Sequence, residues 1–383
     1  MSGTWRLLAD DGAGAAEGLA LDEALMSRYA RDEPDCPPTL RLYSYRDHCA
    51  LIGRYQNLEA EVDLAACHRT GTEVSRRLTG GGAIVMGSSQ LGIAYVDRAR
   101  ASQRPRETIE ELSDALVAGC TRLGISASFG GKNDLEVGSR KIAGLGLYVD
   151  SAGAMLFHAS VLADLDVAFM LQVLRIPAAK LADRAVAAVG ERITTVSAET
   201  GVPHDAATLR PIIADGFAAT FGVTLEAARP DRQEKARADA LAVGRYRSQS
   251  WLGERSIAAD ANGSSLIKTP AGLVRIYLAT RGDLVKSVMI VGDFNELPAG
   301  LAAMESGLRG RRLEHDAIRA VVARSGAAEA LGVTPELLAA AVMEAGCRVD
   351  EQEAAEAFRV ADLRFPSETA AAADPPSFPE PSR

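Results

Sequence analysis

The chain has 383 residues and a formal net charge of −9 at pH 7, and 47% of its residues are hydrophobic and 24% charged. This composition is typical of a globular protein, and the length suits a full hydrophobic core and two domains. The acidic balance argues against nucleic-acid binding, no apolar run approaches the ~20 residues of a membrane span, and the N-terminus lacks the pattern of a secretion signal.

Hydrophobic periodicity predicts alternating helices and strands in the first part of the chain. Leu19, Leu21, Leu25 and Met26 recur at helical spacing within a first helix at 15–29. Strands that alternate with scattered helices favour an α+β fold, with a mixed or antiparallel sheet and packed helices, over a doubly wound sheet. Further strands are predicted at 40–45, 50–53, 73–77, 83–86, 91–96, 125–129, 142–149 and 154–162, and further helices at 106–124, 166–174, 178–186 and 206–221.

The last third of the chain predicts a second, smaller unit. A charged and alanine-rich stretch at 229–250 suits a linker or connecting helix. We therefore predict a large domain at 1–228 and a smaller α+β domain at 251–366, followed at 367–383 by a disordered tail rich in alanine, proline and serine. Strands of the smaller domain are predicted at 266–268, 272–278 and 284–290, and its helices begin near Pro298, Asp316 and Pro335.

An arginine pair followed by three glycines is the most informative motif. Arg76 and Arg77 precede Gly80, Gly81 and Gly82, and an apolar segment follows. Consecutive glycines leave backbone N–H groups uncovered, which suits close approach to a phosphate or carboxylate. Arginines supply fixed charge and forked donors for the same anion. The motif predicts an anion-binding turn, although a flexible hairpin with exposed arginines has the same composition.

Two later segments add polar candidates. The first contains Asn133, Asp134 and Lys141, and the second places His158 in a strand of alternating character. The side-chain oxygens of Asn133 and Asp134 are hard ligands that suit Mg²⁺, but an Asx turn uses the same residues. A histidine among apolar neighbours is also compatible with a purely structural role. These residues are therefore candidates for a site.

In this order the motifs resemble the lipoate-protein ligase family of the biotin/lipoate A/B ligase group. The family patterns are Arg-Arg-x-Ser/Thr-Gly-Gly-Gly, then Asn-Asp before Gly-x-Lys-x-x-Gly, then Leu-x-His-Gly-Thr-Leu-Leu. The similarity covers roughly residues 5 to 200, and Gly292-Asp293-Phe294 resembles part of the family's C-terminal accessory domain. The resemblance implies a biotin/lipoate ligase-like catalytic domain within residues 1–228 and an accessory domain within 251–366.

The resemblance also implies an activity. A free carboxylic acid is a poor acyl donor, and a mixed anhydride with AMP makes it reactive towards an amine. We expect a cytoplasmic ligase that uses ATP and Mg²⁺ to make lipoyl-AMP, without a tightly bound prosthetic group. It would transfer the lipoyl group to a lysine of a lipoyl domain or a glycine-cleavage-H-like protein. Lys141 is the expected catalytic residue, Asp134 a Mg²⁺ ligand, and the expected substrate and adenylate contacts are Arg54, Arg76, Gly80, Gly81, Gly82, Ala83, Asn133, Asp134, Gly144 and His158.

Two other functions remain open at this point. One is an octanoyl or lipoyl transferase that works through a cysteine thioester without ATP, which requires a positioned, activated thiol. The five cysteines are scattered without a C-x-x-C pair, which is typical of reduced thiols, and none follows the His158 segment closely. The other is a non-catalytic partner of lipoylated proteins, which the departures from the family pattern at Met86 and Ala159 make plausible.

Overall fold

The computed structural model describes residues 3–29, 36–100, 102–130, 133–175 and 189–347, so the predicted helix at 178–186 and the predicted tail at 367–383 lie outside it. The described strands are β1 (Thr4–Ala13), β2 (Thr39–Tyr45), β3 (Cys49–Ile52), β4 (Glu73–Arg76), β5 (Ile84–Met86), β6 (Gln90–Arg98), β7 (Ser128–Phe129), β8 (Asp134–Val137), β9 (Arg140–Val149), β10 (Ala154–Leu162), β11 (Thr224–Ala227), β12 (Gly263–Thr269), β13 (Gly272–Arg281) and β14 (Leu284–Gly292). The described helices are α1 (Ala15–Met26), α2 (Leu58–Glu61), α3 (Leu64–Thr70), α4 (Pro105–Arg122), α5 (Val167–Val173), α6 (Val196–Thr200), α7 (Ala206–Phe221), α8 (Arg232–Leu241), α9 (Gln249–Leu252), α10 (Leu301–Leu308), α11 (His315–Ser325), α12 (Ala327–Leu331) and α13 (Pro335–Cys347), with a π-helical turn at Ala242–Tyr246.

The largest sheet mixes parallel and antiparallel pairing. Its eight strands follow the order β11, β1, β2, β6, β10, β9, β8 and β7. Strand β1 lies parallel to both β11 and β2, and all the other neighbours in this sheet are antiparallel. The α+β fold with a mixed sheet and packed helices is therefore confirmed.

Helices cover both faces of this sheet. Because side chains alternate along a strand, Leu40 and Leu42 of β2 face the core formed with α4 and α7, whereas Tyr43 and Tyr45 face the core formed with α1. Every residue of β2 is consequently buried. The central strands are thereby packed on both faces, and they position the residues described below.

A small second sheet holds the arginine–glycine motif. Strand β3 lies between β4, to which it is parallel, and β5, to which it is antiparallel. The glycine segment Gly80–Gly82 runs from β4 to β5, so the two strands that flank it do not pair with each other. The glycine segment is therefore part of a crossover past β3, and β4 and β5 do not form the hairpin that was the alternative to the predicted turn.

The C-terminal unit is an antiparallel meander of β12, β13 and β14 with helices packed on it. Its separate core includes Val274, Ile276 and Ile290 from the sheet and Met304 and Val322 from the helices. The predicted strand positions agree with those observed, whereas the domain boundaries at 228, 250 and 366 stay predictions. Among the described helices, none combines the length and apolarity that crossing a bilayer requires.

The connecting segment is packed against the large unit. Glu234 of α8 is buried and accepts hydrogen bonds from Arg6 and Arg28 at 2.9–3.2 Å. The hydroxyl group of Tyr246 donates to Glu23 of α1 at 2.9 Å. The predicted connecting helix thus exists and is fixed by buried charge.

Candidate active site

A cavity of about 180 Å³ lies between the glycine segment and strands β9 and β10. Lys141, Asn133 and Ile193 line one part of it, and His158 lines another. The Tyr43 ring lies against Gly92, the residue of β6 that pairs with Ser160. Its walls are largely apolar, as is usual for sites that bind small molecules. The apolar lining residues are Leu19, Leu51, Ala83, Ile84, Val85, Met86, Leu145, Ala159, Leu162, Leu165 and Met170.

A β-bulge directs Lys141 into this cavity. Leu135 of β8 pairs with Ala143, but the next residue, Glu136, pairs with Lys141, so Ile142 is an extra residue in β9. A bulge of this kind re-aims the side chain beside it. Without it, Lys141 and Gly144 would project from opposite faces of the sheet.

Gly144 provides the space that the lysine occupies. The Lys141 Nζ atom lies 3.1 Å from the position that a Cβ atom on Gly144 would take. The same Nζ lies 2.6 Å from Asp134 Oδ1. Hydrogen bonds from the Lys141 amide to Arg192 O, at 2.8 Å, and from the Thr194 amide to Lys141 O, at 2.9 Å, hold the strand here. The segment that contains Arg192 and Thr194 therefore positions Lys141, a role that the sequence did not reveal.

The glycine segment lines the cavity and also contacts the C-terminal unit. Gly81 has φ +90°, and its amide donates to Phe294 O at 2.8 Å. A Cβ atom on Gly80 would lie 2.0 Å from the same carbonyl oxygen. Asn133 reaches this unit as well, because its Nδ2 donates to Asn295 Oδ1 at 3.3 Å. Glycine is needed here for close backbone packing, a reason additional to the predicted anion contact.

The structure places the two arginines of the motif differently from the prediction. Arg77 lines the cavity, but its guanidinium group donates to the carbonyl oxygens of Leu51, Gly80 and Gly82. Arg76 lies outside the lining and is fully buried. Its guanidinium group donates hydrogen bonds to five backbone carbonyl oxygens, those of Gly53, Arg54, Gln56, Trp251 and Leu252.

Both guanidinium groups of this pair are buried and stay protonated at neutral pH. Burial lowers the pKa of Arg76 and of Arg77 to about 10, and among the described residues neither guanidinium is ion-paired with a carboxylate. Arg76 thus fastens α9 to the small sheet, and this geometry does not support its predicted contact with an anionic substrate.

Arg54 also lies outside the cavity lining. Its guanidinium group pairs with Glu254 and stacks 4.4 Å from the centre of the Trp251 ring. The structure therefore places Arg54 against Trp251 and Glu254, which directly follow the connecting segment, and outside the cavity lining. Its predicted role in binding substrate stays a prediction.

A buried polar cluster forms the end of the cavity opposite Lys141. His158 Nε2 lies 3.0 Å from Asp22 Oδ2, and His158 Nδ1 lies 3.4 Å from Thr79 Oγ1. Asp22 also pairs with Arg41 at 2.6 Å, and both side chains are fully buried. Although burial by itself raises the pKa of Asp22, the Arg41 charge and the His158 hydrogen bond hold it below the usual value.

The sequence analysis selected only His158 of this cluster and missed Asp22, Arg41 and Thr79; Asp22 is the partner that contacts the His158 ring most closely. It lies 136 positions from His158, and a single acidic residue in an otherwise apolar helix face was the available signal. Its carboxylate fixes the orientation of the His158 ring. The predicted contact residue His158 is therefore at the cavity, and its partners come from α1 and from the loop after β4.

The four described cysteines lie away from the cavity. Cys49, Cys67 and Cys120 are buried, and burial raises the pKa of Cys67 and Cys120 to about 11 and that of Cys49 well above its usual value. Cys36 is half-buried beside the Arg28 guanidinium group. None of these four thiols lines the cavity.

The carboxylate predicted to bind Mg²⁺ has a different partner. Asp134 contacts the Lys141 ammonium group, and an ion at the same oxygen would have to displace it. Across the described part of the chain, no group of three histidine, cysteine or acidic residues is placed to hold a metal. The residues present therefore do not fit a protein-held Mg²⁺ site.

Residues 14–218 match the family described as the lipoyl protein ligase A/B catalytic domain. The chain belongs to this family. An octanoyltransferase LipM of Symbiobacterium thermophilum is 31% identical over 276 residues, which cover 66% of the chain and 98% of that relative. An octanoyltransferase LipM of Kyrpidia tusciae is 29% identical over 272 residues, or 65% of the chain and 98% of the relative.

Solved structures of the lipoate ligase family are also similar. A bipartite lipoate protein ligase from Thermoplasma acidophilum, described together with its E2 lipoyl domain, is 27% identical with a TM-score of 0.59 and covers 66% of this chain and 96% of that one. A lipoate-protein ligase A bound with ATP is 26% identical with a TM-score of 0.56, covering 66% and 98%. A T. acidophilum lipoate ligase with bound lipoic acid is 25% identical with a TM-score of 0.56, covering 66% and 99%.

These relatives correct one expectation and support another. The predicted membership of the lipoate-protein ligase family is confirmed, and so is an enzyme of the ligase and transferase group. The main functional prediction, ATP-dependent formation of lipoyl-AMP, is wrong, because the two similar relatives reported above are octanoyltransferases. A transferase moves an acyl group that is already activated, and local motifs shared by both activities do not distinguish the two.

Proposed function

We propose that the protein transfers an octanoyl group, or the related lipoyl group, from a thioester donor to a lysine of an acceptor protein. The observation that carries this proposal is the apolar cavity with Lys141 at one end and a closed polar cluster at the other. The octanoyltransferase names of the similar proteins support it.

The lining of the cavity suits a medium acyl chain. The Lys141 ammonium group lies over Gly144, and the pair of Gly146 with His158 is two strand steps further along β9. At about 3.3 Å per residue, the ammonium group and His158 are about 7 Å apart along the sheet. The carbonyl group of an acyl chain can lie near Lys141 while its methylene groups contact apolar lining residues such as Leu19, Met86 and Leu145.

The charge at the Lys141 end suits attack on a carbonyl carbon. When an amine attacks a thioester, negative charge develops on the carbonyl oxygen, and a fixed cation in a water-poor site stabilises it. Lys141 is about one-third exposed, so its ammonium group meets both the cavity and an incoming acceptor. The paired Asp134 carboxylate holds this group in place.

We assign the thioester to the donor molecule, because none of the described cysteines lines the cavity. The proposed acceptor is a lipoyl domain or a glycine-cleavage-H-like protein. A similar solved structure is described together with an E2 lipoyl domain, which supports an acceptor of this class.

Intact-mass measurement of an acceptor tests the proposal. The protein is incubated with an apo lipoyl domain and either octanoyl-acyl carrier protein or free octanoate with ATP and Mg²⁺. We expect one octanoyl group on the lipoyl domain with the thioester donor. Modification only with free octanoate and ATP would contradict the proposal, and so would the absence of modification with either donor.

Variants connect this activity to the cavity. Lys141→Ala is expected to lower the transfer rate by on the order of a hundredfold or more, since it removes the cation at the reacting carbonyl. Lys286→Ala is the matched control, because this lysine lies in β14, is largely exposed and pairs with Asp260. Equal activity of both variants would remove Lys141 from the mechanism.

A further inference from the structure

Three neighbouring strands place a serine, a glycine and an aspartate in one row. Gly144 of β9 pairs with Ser160 of β10 on one side and with Asp134 of β8 on the other. Residues directly opposite each other share a face of the sheet, with Cβ atoms roughly 5 Å apart. The side chains of Ser160 and Asp134 therefore project from the same face, on either side of Gly144.

The ammonium group of Lys141 lies between these two side chains. Nζ occupies the space that a Gly144 side chain would fill, 3.1 Å from its Cβ position, and contacts Asp134 Oδ1 at 2.6 Å. Ser160 is the residue on the opposite side of this ammonium group. The register thus brings a hydroxyl group, a cation and a carboxylate together at one end of the cavity.

The Ser160 hydroxyl is accessible and uncommitted. Ser160 is half-buried and lines the cavity. Within the described residues, its Oγ has no hydrogen-bond partner. The lining has two other hydroxyl groups, those of Thr79 and Tyr43, and both residues are almost fully buried. The Thr79 hydroxyl group faces His158.

We propose that Ser160 carries the acyl group between donor and acceptor as an oxoester on its Oγ, which rests on the transferase function proposed above. A covalent intermediate divides the transfer into two steps, so donor and acceptor need not occupy the site together. In this chain a serine beside Lys141 would replace the thiol that the sequence analysis sought among the cysteines.

Both steps balance without a further reactant. In the first, Ser160 Oγ attacks the thioester carbonyl carbon and the C–S bond breaks. The hydroxyl proton passes through the Lys141–Asp134 pair to the leaving thiolate, which departs as a thiol. In the second, the neutral amine of the acceptor lysine attacks the oxoester, the C–O bond breaks, and a proton from the amine returns to Ser160 Oγ by the same pair. Lys141 stabilises the carbonyl oxygen in both steps.

The test is intact-mass analysis of the full-length protein after reaction with octanoyl-acyl carrier protein and no acceptor, followed by an acid quench. We expect the mass of one added octanoyl group, located at Ser160 by peptide mapping, and its loss on addition of apo lipoyl domain. Ser160→Ala should show no adduct, and its transfer rate should fall by on the order of a thousandfold, as expected for a removed nucleophile.

Ser160→Cys and Ser287→Ala complete the design. Cysteine at this position should restore both the adduct and transfer, with a thioester that neutral hydroxylamine cleaves. Ser287 is a half-buried strand serine of β14 outside the cavity, and its alanine variant should behave as the wild type.

The outcomes separate this proposal from the one on which it rests. If the wild type transfers octanoyl groups and Ser160→Ala retains near-normal transfer activity, the role of Ser160 is overturned and the transferase function stays intact. An octanoyl adduct mapped to another residue has the same consequence. Absence of any octanoyl transfer by the wild type from the thioester donor overturns the transferase function itself.

Discussion

Asp22→Asn is expected to destabilise the fold strongly because it leaves a buried arginine with less counter-charge. Arg41 is fully buried and is held by Asp22 at 2.6 Å, by Asp10 at 2.9 Å and by Gly18 O at 2.9 Å. Removal of one partner from a buried ion pair costs about 3–5 kcal/mol. Since Asp10 still contacts two guanidinium nitrogens, we expect the lower end, about 3 kcal/mol.

Urea denaturation followed by circular dichroism measures this effect. With a slope of about 3 kcal/mol per molar urea, a loss of about 3 kcal/mol lowers the midpoint by roughly 1 M. Asp10→Asn is the matched control, because Asp10 pairs with the same arginine but is itself one-third exposed. We expect this variant to lose about 1 kcal/mol or less of unfolding free energy. Equal shifts for the two variants, or a loss below about 1 kcal/mol for Asp22→Asn, would refute the argument from burial.

Three further predictions follow from the same structure. The pKa of Asp22 is held below its usual 3.8, so its stabilising contribution is complete above about pH 4 and lost as the pH falls further; the difference in unfolding free energy between wild type and Asp22→Asn should shrink there, and a constant difference would contradict it. Gly80→Ala should raise the rate of amide hydrogen exchange at Gly81 by on the order of tenfold, because the new Cβ atom would clash with Phe294 O, which accepts the Gly81 hydrogen bond. Gly244→Ala is the control, since a Cβ atom there meets open space; equal exchange rates at Gly81 in the two variants would contradict the prediction. Single alanine variants of the four described cysteines should retain octanoyl transfer, and a loss of more than about tenfold in one that still folds would show that its thiol takes part; the four are Cys36, Cys49, Cys67 and Cys120.

Local patterns in the sequence were sufficient for most of the secondary structure. The helix predicted at 15–29 is observed as Ala15–Met26, and the strands of the C-terminal unit at 266–268, 272–278 and 284–290 are observed as parts of longer strands. Hydrophobic periodicity is a property of neighbouring residues, so it survives without knowledge of the fold. The order of short motifs also identified the lipoate-protein ligase family.

The functional geometry depends on contacts between distant residues. Lys141 enters the cavity because β9 contains an extra residue relative to β8, and no property of the lysine segment alone predicts that bulge. The Asp22–His158 contact joins residues 136 positions apart. Arg76, selected as an anion contact, is instead satisfied by carbonyl groups that include those of Trp251 and Leu252.

The sequence by itself determined the α+β fold, the family and the polar and glycine residues Gly80, Gly81, Gly82, Asn133, Lys141, Gly144 and His158 of the cavity lining, because motif identity and hydrophobic period are encoded locally. Only the tertiary structure decided which side chains share the cavity. Strand register sets Ser160, Gly144 and Asp134 side by side, whereas Arg76, Cys49, Cys67 and Cys120 are buried away from the cavity. The free energy of those arrangements comes from packing and desolvation summed over distant segments, which no single stretch of sequence contains.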